Sequence, residues 1–332
     1  MAVTLAQSAL LSQDQLQRGV LEIFVQEGIL LDRLPLMPVI GNSYAYNSEA
    51  TLPGVEFRAV NGAYAESTGT VVQAFEKLVI LGGDADVDTF VAKTKGNLND
   101  QRGLQDKLKV KALNYKFQDG FINGDVATDA NSFDGLKKRL VGAQVVAAGA
   151  NGLPVVGNGA SDVQAFLDFL DQLIASVPGI SAGNGALYMN TMIRTKVLSA
   201  LRRANVNVES VGRLPAPLRT SVSASSPVNQ ADLPTYNSIP MLDIGARPDG
   251  TLIIPQTETQ GTAVDCSSIY AVKFGSSEAD QAVTGLSNGG VDVRDLGEQQ
   301  VKPAFRTRIE FFCGVAVFGG KAAARGIGVR NL

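Results

Sequence analysis

From Ile40 to Leu81 the chain runs as two apolar, β-rich arms around an Asn61-Gly62 pair, and between Gly41 and Phe75 the only charges are Glu49, Glu56, Arg58 and Glu66. Val55, Phe57 and Ala59 alternate into the turn signal, while Val71, Val72, Phe75, Val79 and Ile80 return from it. That is the pattern of one long β-hairpin. Two strands alone are only marginally stable in water. A hairpin this poor in charge therefore has to lie on another surface, either its own domain or a neighbouring copy of the chain. Leu52, Val55, Phe57, Arg58, Tyr64 and Glu66 are the candidate inter-subunit contact residues.

The flanking elements are helical. Ser12 to Leu34 is expected as a helix opened by a Ser12/Gln15 capping box, with Leu16, Val20, Ile23 and Phe24 on one face and Pro35 and Pro38 as its stop. Asn97 to Phe121 is expected as a long helix with two stripes, Leu104, Leu108, Ala112 and Tyr115 on one side and Val110, Leu113, Phe117 and Phe121 nearly opposite. A helix apolar on two sides is wedged between layers. Its Lys107, Lys109, Lys111 and Lys116 read as a solvated or salt-bridged face.

A basic turn, Lys137-Lys138-Arg139, precedes a Gly-rich stretch from Gly142 to Ala160 that reads as a crossing between domains. The periodic helix Ser161 to Val177 follows, with Ser161 and Gln164 as a capping box and Val163, Phe166, Leu167, Leu170, Leu173 and Ile174 inward. Asn190 is placed to cap a helix over Thr191 to Ala204. Strands are expected at Ala186–Met189, Val206–Val211, Met241–Ile244, Leu252–Ile254, Ser268–Phe274 and Phe305–Phe318, with a polar loop at Ser221–Pro234. The whole is an α+β chain.

The composition excludes most chemistry. The 332 residues, 45% of them hydrophobic, can bury a core and suggest about two domains. Histidine is absent, which removes the commonest general base and metal ligand. Cys266 and Cys313 lack any paired spacing and read as buried small hydrophobes. Asp84, Asp86 and Asp88 alternate as in a calcium loop, but Thr89 stands at the turn glycine and Lys95 at the bidentate glutamate, so a solvated turn is expected. Gly314 to Lys321 lacks the residues of a phosphate loop. No enzyme, metal or cofactor is expected. With a net charge of -3 the chain offers nucleic acid only weak, non-specific contact, and no apolar run reaches the roughly 18 residues of a membrane span.

At the hairpin, at Phe133-Asp134-Gly135-Leu136 and at Lys302 to Val329, with its Arg-Thr-Arg-Ile-Glu and Gly-Val-Ala-Val runs, the chain resembles tailed-bacteriophage major capsid proteins of the Hong Kong 97-type fold. The resemblance implies an N-terminal arm (1–39), an extended loop hairpin (40–83), a peripheral domain with a long spine helix (84–145 and 291–317), and an axial domain with the C-terminal tail (146–290 and 318–332). It also implies that Arg306 to Ala316 pairs with the hairpin base and the spine helix. The function it implies is a structural shell subunit forming pentamers and hexamers of an icosahedral head around double-stranded DNA. The alternative is an encapsulin-like bacterial compartment. Implied partners are further copies of the chain, a portal, room for decoration proteins and, because the arm helix follows Met1 so closely, a separate scaffolding protein. The expected location is the virion, after assembly in the host cytoplasm. Gly41 to Glu76 holds no lysine, so the covalent loop linkage of some family members is not expected.

Overall fold

The computed structural model describes residues 29–90, 101–157, 159–204 and 234–332. The expected arm helix falls outside these residues up to position 28. Over 29–33 the chain makes a turn instead, closed by the Arg33 and Leu34 amides donating to the Leu30 carbonyl at 3.1 and 2.9 Å. Leu30, Leu31 and Leu34 are fully buried there. The strands β1 (Leu36–Pro38), β2 (Ser43–Thr51), β3 (Thr70–Lys77) and β4 (Val79–Asp88) follow. β2 and β3 pair antiparallel as a separate two-stranded sheet. β4 leaves the hairpin for a four-stranded sheet in the order β1, β12 (Val283–Glu298), β13 (Ala304–Val317), β4.

β12 has no counterpart among the expected strands, because Ser287-Asn288-Gly289-Gly290 reads locally as a turn. Gly289 and Gly290 take φ values of +88° and +77°. They absorb a register shift between Ser287 and Val291, beyond which pairing with β13 resumes. Such a bulge bends a strand without ending it. β4 also departs from expectation: Asp84, Asp86 and Asp88 stand in a strand, not in a solvated turn.

Helix α1 (Gln101–Asn123) packs on this sheet through Val110, Leu113, Phe117 and Phe121, all buried. The Phe117 ring lies 5.7 Å from that of Phe311 in β13. The second stripe is not wedged: Leu104, Leu108 and Ala112 are exposed, and Tyr115 is half-buried with the Lys111 Nζ 5.9 Å from its ring centre. The sheet lies on one side of the helix only, and no other described element covers the opposite side.

At the end of α1 the chain folds back through Phe133-Asp134-Gly135-Leu136 into the short helix α2 (Leu136–Arg139). The Gly135 amide donates to the Gly124 carbonyl at 2.8 Å. A Cβ on Gly135 would lie 2.6 Å from the Gly120 carbonyl oxygen and the Gly124 nitrogen, both backbone atoms that cannot swing aside. The glycine lets two backbones cross, so that Phe133 and Leu136 reach the core.

The second sheet comprises β5 (Val145–Ala147), β6 (Leu153–Pro154), β7 (Gly185–Met189), β8 (Thr235–Tyr236), β9 (Ile239–Asp243), β10 (Glu258–Gln260), β11 (Ala263–Lys273) and β14 (Ala323–Arg330). Its path is β5-β14-β11-β7-β9-β8, with β10 on β11 and β6 on β14. The period of two along a strand divides its central residues between two cores. Ala186, Tyr188, Tyr270 and Val272 face the core shared with α1 and the four-stranded sheet. Leu187, Met189, Ile269 and Ala271 face α3 (Ala160–Ala175) and α4 (Thr191–Arg203).

α4 is capped as expected, the Asn190 carboxamide oxygen accepting from the Ile193 amide at 2.8 Å. α3 buries Val163, Phe166, Leu167, Leu170 and Leu173. It starts from Gly159 without a side-chain cap, so Ser161 is already inside its first turn and the expected capping box is absent. Of the other expected strands, Val206–Val211 lies outside the described residues. Leu252–Ile254 forms none: Leu252 makes one isolated bridge to Ala246, while Ile253 and Ile254 pack into the core. Both cysteines are free and buried.

Gly135→Ala is expected to lower stability by about 1–3 kcal/mol, the usual cost of overpacking a tight site. Urea unfolding of the variant against the parent chain measures it.

Candidate inter-subunit interface

The β2–β3 ladder ends where Thr51 pairs with Thr70, their hydroxyls 2.6 Å apart. Beyond it, residues 52–69 form no ladder, contrary to the strand-like alternation expected through Val55, Phe57 and Ala59. Side chains organise this tip instead. A Glu56 carboxylate oxygen accepts from the Ala65 amide at 2.6 Å. The Ser67 hydroxyl donates to the Gly54 carbonyl at 3.0 Å. A turn forms one residue before the Asn61-Gly62 signal, with Val60 and Asn61 central, Asn61 at φ +67° and the Gly62 amide donating to the Ala59 carbonyl at 3.0 Å. Arg58 donates to the Gly62 carbonyl at 3.2 Å and stands 5.2 Å from the Tyr64 ring centre.

All six candidate residues lie in this tip and all are exposed. Leu52 keeps 77% of its surface, Val55 95% and Phe57 108%, with Val60, Val71 and Val72 also exposed. The structure brings Arg58 and Tyr64 together. Apolar side chains exposed together in one short loop, with few charges among them, are what an association site presents.

The root is built differently. Tyr44 and Tyr46, two positions apart, share the face of β2 that turns toward the body and meet the Phe318 ring edge-on at 6.0 and 5.0 Å. Val39, Leu286, Ala316 and Phe318 form the small buried cluster beneath them. Glu76 pairs with Arg139 of α2, one of the two contacts being Nη2 to Oε2 at 2.6 Å. Burial, followed by the nearby Glu76 carboxylate, pushes the Tyr46 phenol above its ordinary range. None of these root residues was among the sequence candidates. The signals for them were the Tyr44-x-Tyr46 spacing and the charge at Glu76 closing a charge-poor stretch. A groove of about 670 Å³, bordered by Phe75, Ile80, Val126, Phe133 and Asp134, opens beside this root.

The face of the four-stranded sheet opposite α1 neutralises itself. Arg308 holds Asp84 through Nε–Oδ1 at 2.7 Å and Nη2–Oδ2 at 2.9 Å, and Arg306 holds Asp86 at 2.6 and 2.8 Å. Lys302 also reaches Asp86, and Arg294 of β12 reaches Glu310 and Asp292. Hydrogen bonds from these cations hold both aspartates below the usual carboxylate range, Asp86 well below it.

Residues 20–162 match the family model of Major capsid protein GP7, a stretch that holds the hairpin, α1 and α2. No curated protein sequence matches the chain. Among solved structures, the chain is similar to the SrpI encapsulin of Synechococcus elongatus PCC 7942, with a TM-score of 0.61 and 17% identity over 91% of this chain and 87% of that one. The capsid of a native GTA particle gives 0.58 and 16% identity over 92% and 90%. The capsid of Cyanophage P-SCSP1u gives 0.53 and 14% identity over 92% and 89%. The chain has the Hong Kong 97-type capsid fold.

The hairpin, Ser43 to Lys77, forms a two-stranded sheet separate from the two sheets of the body. Phe57→Asp should change the unfolding free energy by no more than about 0.5 kcal/mol, as exposed substitutions do. The same variant should weaken self-association, measured by sedimentation velocity at matched concentration.

The aspartate pairs of β4 make a separate expectation. Carboxylates depressed in the folded state stabilise it above their unfolded pKa of about 3.9. That contribution fades as pH falls from there through the depressed values. An Asp84→Asn/Asp86→Asn variant should therefore lose less stability than the parent between pH 4 and pH 2, followed by urea midpoints across that range.

Proposed function

We propose that this chain is the major head subunit of a tailed bacteriophage, assembling as pentamers and hexamers into an icosahedral shell around double-stranded DNA, and that it has no enzymatic activity. The observation that carries this reading is the exposed apolar tip at 52–69, on a chain whose residues 20–162 match the family model of Major capsid protein GP7 and whose fold is similar to that of solved capsids. Each copy would lay its tip on the next, a head-to-tail contact that closes into rings when the rotation fits. Obligate interfaces of this kind bury on the order of 2,000 to 5,000 Å², so modest contacts sum to a durable wall.

The hairpin 40–83 is the contact arm in this reading. The body divides at the crossing after α2, with α1 and the four-stranded sheet peripheral and the eight-stranded sheet axial. β12, Val283 to Glu298, belongs to the four-stranded sheet, which supports taking the return to the peripheral part near Val283 in this reading. A scaffolding protein and a portal complete the assembly, and the net charge of -3 suits a wall that packs DNA and later releases it. The encapsulin likeness supports a second reading, a compartment around cargo enzymes. The family match favours the phage head.

Deleting Leu52 to Thr70 should leave the body folded, with a circular dichroism spectrum and melting transition close to those of the parent, and abolish particles in negative-stain micrographs. Normal particles from the deletion would defeat the role of the tip. Nucleic acid inside purified particles would separate the head from a compartment holding an enzyme.

A further inference from the structure

Arg139, which holds Glu76 at the hairpin root, belongs to the basic triplet Lys137-Lys138-Arg139, and each side chain of the triplet reaches a different region. The Lys137 Nζ lies 3.3 Å from Glu258 of β10, whose carboxylate also takes the Arg325 Nη2 of β14 at 2.8 Å. The Lys138 Nζ binds Asp125 at 2.5 Å and Asp134 at 2.8 Å, tying both sides of the loop that follows α1. Arg139 spans two partners. Its Nε donates to the Asp134 carbonyl at 2.6 Å, and its two terminal nitrogens take the two oxygens of Glu76 in the hairpin.

The last pair is the enclosed one, with 18% of the Arg139 side chain and 12% of that of Glu76 exposed. The Tyr46 hydroxyl adds a third contact to Glu76 at 3.4 Å. A planar fork held at both ends fixes direction as well as distance, which a lysine at the same place would not do.

The direction matters because of leverage. From Glu76 to the turn at Val60 an extended chain covers about 50 Å, so a tilt of about 10° at the root moves the tip by roughly 9 Å. Side chains must come within about 4.5 Å to pack. A tip that has to find one surface therefore needs a stiff root.

We propose that Arg139 is a positioning residue for the hairpin, setting its angle against the body, and that Lys137 and Lys138 anchor α2 to the axial sheet and to the loop after α1 so that this angle is held. The proposal rests on reading the tip as an inter-subunit contact, but its test does not need a shell.

Spin labels at Val60→Cys and Lys116→Cys report the hairpin's distance from the body, and labels at Lys116→Cys and Gln172→Cys report the body alone. The native cysteines are buried and stay unlabelled. Pulsed electron resonance is recorded on the unassembled subunit. Arg139→Gln should at least double the width of the hairpin distance distribution and leave the body distance unchanged. If Arg139→Gln also disturbs the body distance, Glu76→Gln, which keeps the Arg139 bond to the Asp134 carbonyl, is read by the same two distances. A hairpin distribution as narrow as the parent's in a variant with an intact body overturns the proposal. Loss of shells on tip deletion is a separate result, so either reading can fail without the other.

Discussion

Both sheets are built against the inner stripe of α1. Phe117 packs at a tilt against Phe311 and Phe133, while Phe121 meets Tyr188 edge-on at 6.4 Å, so one helix face touches the four-stranded sheet, the α2 turn and the eight-stranded sheet in succession. Burying such rings contributes about 1.5–3 kcal/mol each, and here the same rings join the two sheets in one core. The glycine crossing of Gly124 and Gly135 is what allows that face to be closed at its C-terminal end. Without it Phe133 would be held away from Phe117 and the shared core would open.

Two stretches among the described residues leave several neighbouring apolar side chains exposed. One is the hairpin tip, where the apolar side chains have no partner surface within the described residues. The other is the outer stripe of α1, Leu104, Leu108 and Ala112. On the outer face of the four-stranded sheet each arginine of β13 is forked onto an aspartate of β4. Exposed ion pairs of this sort contribute little individually. Their effect is to make that face soluble and self-contained, and the hairpin has no comparable ionic cover.

The parts of the fold that were legible in the sequence share one property: the information lies within a few residues. Asn190 caps α4 because cap and amide are three residues apart. The inward faces of α3 and α4 follow from a 3.6-residue period, and the hairpin turn, to within one residue, from Asn61-Gly62. The six tip residues were legible as a charge-poor excursion with a turn at its centre. The root was not, because Glu76 finds Arg139 and Tyr46 finds Phe318 across long stretches of chain. The aspartates of β4 misled for the same reason. Asp-x-Asp-x-Asp is turn-like until Arg306 and Arg308, more than 200 residues away in sequence, are placed beside it.

An α+β body with a projecting hairpin follows from periodicity, caps and turn residues, which are local, and the lack of histidine is a matter of composition. Only the tertiary structure decided which stripe of α1 is covered, that β12 continues through its two glycines, and that the hairpin is gripped at Glu76 while its tip stays bare. Those outcomes depend on which distant segments meet. The physical reason is that a salt bridge or ring contact between residues far apart in sequence leaves no periodic trace in either partner.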